Sequence, residues 1–169
     1  LEEAQKISPH SQLEDILETE ITPKDFGRIA AQTAKQVVVQ RLREAERGLI
    51  FEEFSNREGD IVTGVAQRQE QRNIFIDLGK TEASLGLSEQ IPGELYMQGE
   101  RIKVYIVEVK KTTKGPQILV SRTHPGLLKR LFELEVPEIY EGIVEIKSVA
   151  REAGARSKLA VHSRDEYVD

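Results

Sequence analysis

Apolar residues recur at steps of three and four from Phe26 onward: Phe26, Ile29, Ala30, Ala34, Val37, Val38, Leu42, Ala45, Leu49 and Phe54. That spacing lays most of them along one stripe of a helix. Thr22 suits an N-cap, Pro23 the first helical position and Asp25 the first turn, so the pattern predicts a helix from about Pro23 to Ser55. Its length would be roughly 50 Å at ~1.5 Å per residue. Gly48 weakens its interior by about 1 kcal/mol relative to alanine. Upstream, residues 1–20 are polar and are interrupted by Pro9. They read either as a short strand near Gln12–Glu20 or as the tail of a domain that begins earlier. The long helix needs something to pack against, and two readings stay open: a support helix, or a docking surface for a partner protein.

After Arg57 the period shortens to two. Ile61–Ala66 is a β-rich run closed by the polar stretch Gln67–Arg72, and Asn73–Leu78 alternates with Ile74, Ile76 and Leu78 on one side and Phe75 and Asp77 on the other. Gly79-Lys80 marks a turn before a short strand at Glu82–Leu87, and Pro92-Gly93 marks another. Arg101–Val109 is a long strand whose apolar residues fall on both parities: Ile102, Val104 and Ile106, but also Tyr105, Val107 and Val109. A basic turn at Lys110–Pro116 leads into Gln117–Ser121. Five short strands with glycine-marked turns in so few residues predict a five-stranded antiparallel barrel of the oligonucleotide-binding type. Closure hides the edges that such strands would expose.

His124-Pro125-Gly126 breaks the pattern. Leu127, Leu128, Leu131, Phe132 and Leu134 then describe an amphipathic helix ending near Val136-Pro137. Two strands follow, Gly142–Ala150 and Arg156–His162, joined by the polar loop Arg151–Ala155. One helix and one hairpin hold too little core to stand alone, so this segment reads as the opening of a larger domain. The fold class is α+β, divided at 1–56, 57–122 and 123–169.

Charge changes this picture only slightly. The net charge is -5, distributed as -4, +1 and -2 over the three segments, so the barrel is the least acidic part. No cysteine is present, which removes disulfides, thiolate nucleophiles and cysteine-held metals. No apolar run reaches the roughly 18 residues needed to span a bilayer, and the chain does not start with a secretory pattern. These features fit a cytosolic protein. His10, His124 and His162 are scattered, without metal-ligand spacing. Ser121 and Ser157 lack triad context, and no glycine-rich phosphate cradle is followed by lysine. Neither catalysis nor a cofactor is indicated.

Longer words carry a family likeness. Arg57-Glu58-Gly59-Asp60 is followed by IVTGVAQR, NIFIDLGKTEA, GERIKVYIVEV and KKTTKGPQILVSRTHPGLLKRLFELEVPEIYEGIVEIKSVAREAGARSKLAVHS. With TPKDFGRIAAQTAKQVVVQRLREAE, these closely resemble the NusA family of bacterial transcription termination/antitermination factors, over almost the whole chain. The resemblance implies the end of a polymerase-binding N-terminal domain, a complete S1 domain and an incomplete first KH domain. It also implies a cytoplasmic, non-enzymatic factor whose partners are RNA polymerase core, nascent single-stranded RNA and, in some settings, antitermination factors. Arg28, Lys35, Arg43 and Arg47, on the helix, are the polymerase-docking candidates.

Within the barrel Phe75 stands out, since alternation points it away from Ile74 and Ile76. An exposed aromatic can stack on a base for ~1–3 kcal/mol, and the competing reading buries it against a neighbouring element. Tyr105 carries the same two readings. Arg68, Arg72 and Lys80 near the first loops, and Lys110, Lys111 and Lys114 in the last, could contact phosphates or simply solvate turns. Arg122 and Arg101 are weaker candidates. The region where RNA-binding S1 domains often carry a further aromatic or histidine reads Ser84-Leu85-Gly86-Leu87, which implies a modest, auxiliary affinity. The Gly-x-x-Gly loop of a KH domain is absent, and Gly154 belongs to a hairpin turn. A spacer or protein-interaction role is the rival reading, and an accessory domain of a ribonuclease the third.

Overall fold

A computed structural model describes residues 2–10, 12, 16, 18 and 26–168. The chain divides into two compact units, Leu1–Arg41 and Leu42–Asp169. Helix α1 spans Glu2–Ile7, and helix α2, Phe26–Ser55, contributes to both units. The cap expected at Thr22, Pro23 and Asp25 lies outside the described residues, as does most of the strand expected near Gln12–Glu20. The stripe on α2 exists but is not buried: Phe26, Ile29, Val37, Val38, Leu42 and Leu49 are each more than half exposed. Phe54, in the last turn, is 3% exposed and joins the barrel core.

The second unit is built around five strands: β1 (Ile61–Glu70), β2 (Asn73–Asp77), β3 (Glu82–Leu85), β4 (Arg101–Thr112) and β5 (Gly115–Ser121). They close into a barrel in the order β1-β2-β3-β5-β4. The expected all-antiparallel sheet is corrected at one seam, since β3 pairs β5 in parallel. Parity requires this. With the other four seams antiparallel, a ring of an odd number of strands cannot alternate all the way round.

Alternation supplies the core. Val62, Ala66, Ile74, Ile76, Ala83, Leu85, Ile102, Val104, Ile106, Ile118 and Val120 all point inward. The mixed parity of β4 is resolved by a bulge between Ile106 and Glu108, after which Val109 faces inward and Val107 outward. Gly64 permits the close passage of β1 over β2, because a Cβ there would lie 2.3 Å from Ile76 Cγ2 and 2.9 Å from the Asp77 carbonyl. The polar stretch after Ala66 is mostly strand, not loop: β1 runs to Glu70, and Gln71 and Arg72 turn the chain with φ of 48° and 70°. A single 3-10 turn, Leu87–Glu89, follows β3.

Beyond the barrel lie α3 (Pro125–Glu135), α4 (Pro137–Tyr140) and the antiparallel hairpin of β6 (Val144–Glu152) and β7 (Arg156–Ser163). Helix α4 is additional to the expected elements. Pro137 ends α3 by lacking an N–H, yet its fixed φ suits the first position of the next turn. Leu127 and Ile146 are buried here, while Leu134, Tyr140 and Val161 stay exposed, in keeping with a thin local core.

Candidate nucleic-acid interface

The outer surface of the barrel gathers two of the sequence candidates. Cross-strand register aligns Arg68 on β1 with Phe75 on β2, Ser84 on β3 and Leu119 on β5. The β1 bulge sets this row. Ala66 pairs Ile76, and the next pair is Arg68 with Phe75, so Gln67 is skipped. Without the bulge Gln67 would stand opposite the ring; bulges commonly re-aim one side chain in this way. Ile74 and Ile76 are buried at 5% and 0% while Phe75 is half-buried, so the ring lies on the outer face as alternation predicts.

The ring is not bare. The Arg68 guanidinium carbon sits 4.5 Å from its centroid, within range for a cation–π contact. Arg68 Nε donates to Glu70 Oε1 at 2.8 Å, and Nη1 and Nη2 donate to the two Glu82 carboxylate oxygens at 2.5 and 3.2 Å. The hydrogen bonds that Arg68 donates to Glu82, then to Glu70, raise its guanidinium above the ordinary arginine value. Asp77 lies nearby in register, accepting from Gln67 Nε2 at 3.2 Å and from the Gly79 amide at 2.7 Å. The surface around Phe75 therefore carries carboxylates as well as a cation.

The remaining candidates lie elsewhere. Lys80 pairs with Glu53 of α2 at 2.7 Å. Arg72 is exposed at the β1–β2 turn, where its carbonyl accepts from Gln90. Lys110 and Lys111 continue β4 and are exposed, as is Lys114 in the turn that follows. Lys110 meets Glu108 at 3.4 Å, and Lys111 Nζ lies 6.0 Å from the Phe51 ring of α2. This hairpin faces the end of α2, where Arg47 donates to the Thr113 carbonyl at 3.4 Å across a groove of about 230 Å³. Arg43, Lys35 and Arg28 are exposed along α2.

Two candidates are committed to structural contacts. Tyr105 is stacked on His124, with centroids 4.5 Å apart and planes at 9°, so that face is closed to a base. His124 caps α3 through Nδ1, which accepts from the Gly126 amide at 2.9 Å. A Cβ on Gly126 would come within 2.6 Å of the Tyr105 ring, so glycine is needed for the stack. Arg122 is 17% exposed and grips Glu94, with Nε to Oε2 at 2.7 Å and Nη2 to Oε1 at 2.5 Å, and donates through Nη1 to the Lys103 carbonyl at 2.6 Å. It is a clamp, not a free phosphate contact.

The rest of this clamp carried no sequence signal, because its members are far apart in the chain. Tyr96 donates to Glu94 at 2.7 Å and accepts from the Ile91 amide at 3.0 Å. Arg151 of β6 donates to the His124 carbonyl at 3.0 Å. Arg130 of α3 donates to the Gly59 carbonyl at 2.9 Å. Buried Ser121 accepts from the Thr123 and His124 amides at 3.1 and 3.0 Å, fixing the exit from β5.

Burial raises Glu94, but hydrogen bonds from Arg122 and Tyr96 outweigh it and hold the carboxyl below its ordinary value. Burial, then the hydrogen bond to Glu94, pushes Tyr96 up to about 12 from about 10. A raised folded value means that this tyrosine's contribution is complete below about pH 10 and is lost as pH rises toward 12. Urea midpoints should therefore fall between pH 10 and 12 more steeply for the native chain than for Tyr96→Phe. Parallel curves would contradict this.

Among the described residues no three His, Cys, Asp or Glu gather as metal ligands, and no helix is long and apolar enough to cross a membrane. Comparison with known proteins accounts for nearly the whole sequence. Residues 1–48 match the family model of the NusA N-terminal domain, residues 55–121 that of the S1 RNA binding domain, and residues 122–169 that of the NusA-like first KH domain. The chain is 66% identical over all 169 residues to a transcription termination/antitermination protein NusA of Halalkalibacterium halodurans, covering 44% of it. Identity to the protein of that name from Bacillus subtilis is 65%, covering 46% of it, and to that of Thermus thermophilus 50%, covering 44%. The chain thus spans less than half the length of these relatives.

Proposed function

This chain belongs to the NusA family, and from that premise we propose that it serves a cytoplasmic transcription elongation, termination and antitermination factor without catalysis of its own. Residues 1–56 meet RNA polymerase, 57–122 meet nascent single-stranded RNA, and 123–169 open a KH domain. The observation that carries the RNA reading is the row Arg68, Phe75 and Ser84 on the outer face of a closed barrel. It offers a planar contact framed by polar groups. Glu70, Asp77 and Glu82 on the same face repel phosphate and support a modest affinity.

Labelled single-stranded RNA titrated with the chain at two salt concentrations tests this reading. Weak binding that falls with salt is expected, and Phe75→Ala should weaken it about five-fold or more. No binding at low salt overturns it. The exposed stripe of α2 supports the polymerase contact, because Phe26, Ile29, Val37 and Val38 are apolar and open while Arg28 and Lys35 flank them. In a pull-down with core polymerase, Val37→Asp with Val38→Asp should abolish capture while leaving the barrel's urea midpoint unchanged. Undiminished capture contradicts the assignment.

A further inference from the structure

We propose that an unpaired base stacks on the outward face of the Arg68 guanidinium, with Phe75 behind it as backing, and not directly on the phenyl ring. This deepens the RNA-binding reading of the barrel and rests on it.

The geometry carries the assignment. The Arg68 guanidinium carbon lies over the Phe75 ring, 4.5 Å from its centroid. Its edge is occupied, since Nε, Nη1 and Nη2 all donate to Glu70 or Glu82. A fork–fork contact of this kind fixes the plane of the group as well as its position. The side chain is still 48% exposed, which leaves room for a base on the side of the guanidinium away from the ring. The β1 bulge places Arg68, and not Gln67, opposite Phe75. The result is a flat cation anchored from below and from the side, and nucleobases stack on arginine planes as they do on aromatic rings.

Two other roles for Arg68 fit less well. As a phosphate contact it would have to release carboxylates that themselves repel the phosphate. As a lid displaced by the base, it would exchange one planar contact for another while both ion pairs are broken, with nothing gained. Stacking on the open face keeps every existing contact and adds one. The ligand chemistry that fits is an uncharged, planar, unpaired base, and the larger purine surface is favoured over a pyrimidine.

The test uses the whole chain with a labelled twelve-nucleotide oligoadenylate and an abasic strand of equal length. Arg68→Ala and Arg68→Lys should each lose about ten-fold in affinity for oligoadenylate, with the salt dependence unchanged. Native chain and Arg68→Lys should bind the abasic strand equally weakly. Wild-type affinity in Arg68→Lys, alongside a loss in Phe75→Ala, overturns the arginine platform but leaves RNA binding by the barrel standing. Tighter binding by Arg68→Ala overturns it in favour of a lid. Absence of RNA binding by the native chain overturns the underlying reading as well. An NMR measurement on the native chain is independent of any folding defect in the variants. Oligoadenylate should move the Arg68 Nε proton upfield, as a base ring covers the open face. A downfield move toward the free-arginine position means that Arg68 has left Phe75, and contradicts the proposal.

Discussion

Ile76→Ala is expected to destabilise the barrel by about 3 kcal/mol, within the roughly 2–5 kcal/mol found when a buried isoleucine is cut to alanine. Ile76 has no exposed surface, and its strand is hydrogen-bonded on both sides, to β1 and to β3. A closed ring has no free edge along which the wall can move inward, so the cavity persists and its cost is not recovered. The contact with β1 is also lost, where Gly64 passes directly over the Ile76 methyl. Small domains are held by only about 5–15 kcal/mol in total, so the change should be plain in a urea midpoint. A loss under about 1 kcal/mol would show that the barrel relaxes where this account says it cannot.

Arg122→Ala is expected to cost about 2–3 kcal/mol, below the full penalty for opening a buried ion pair because Glu94 retains 31% exposure. The loss has two parts. Glu94 keeps its charge without its main partner, and the Lys103 carbonyl loses the donor Nη1. A double-mutant cycle with Glu94→Ala should return a coupling of about 1–3 kcal/mol. RNA affinity measured well below the unfolding midpoint should change by less than about two-fold. A large loss of affinity with an unchanged midpoint would return Arg122 to the binding surface.

The inward set of β2 follows from alternation alone, and the outward placement of Phe75 follows from the inward placement of Ile74 and Ile76. Tyr105 could not be resolved that way. Its ring is claimed by His124, which lies 19 residues later and has no periodic relation to it. Both bulges of the barrel hide for a similar reason, since a single skipped residue leaves no mark in composition. One of them decides that Arg68 stands beside Phe75. The Glu94–Tyr96–Arg122 clamp depends on residues from two distant stretches that meet only once the barrel closes. For α2 the stripe was legible, but its exposure was not, because periodicity reports which residues share a face and not what covers it.

The proposed RNA contact on the Phe75 face is tested most directly by mapping amide and side-chain shifts of the isotope-labelled chain as single-stranded RNA is added. The account predicts that the largest changes cluster on Arg68, Phe75, Ser84 and their neighbours across β1, β2 and β3, while Arg122 and the Tyr105–His124 stack stay nearly still. Changes confined to the β6–β7 hairpin or to the clamp, with the Phe75 surface silent, would contradict it.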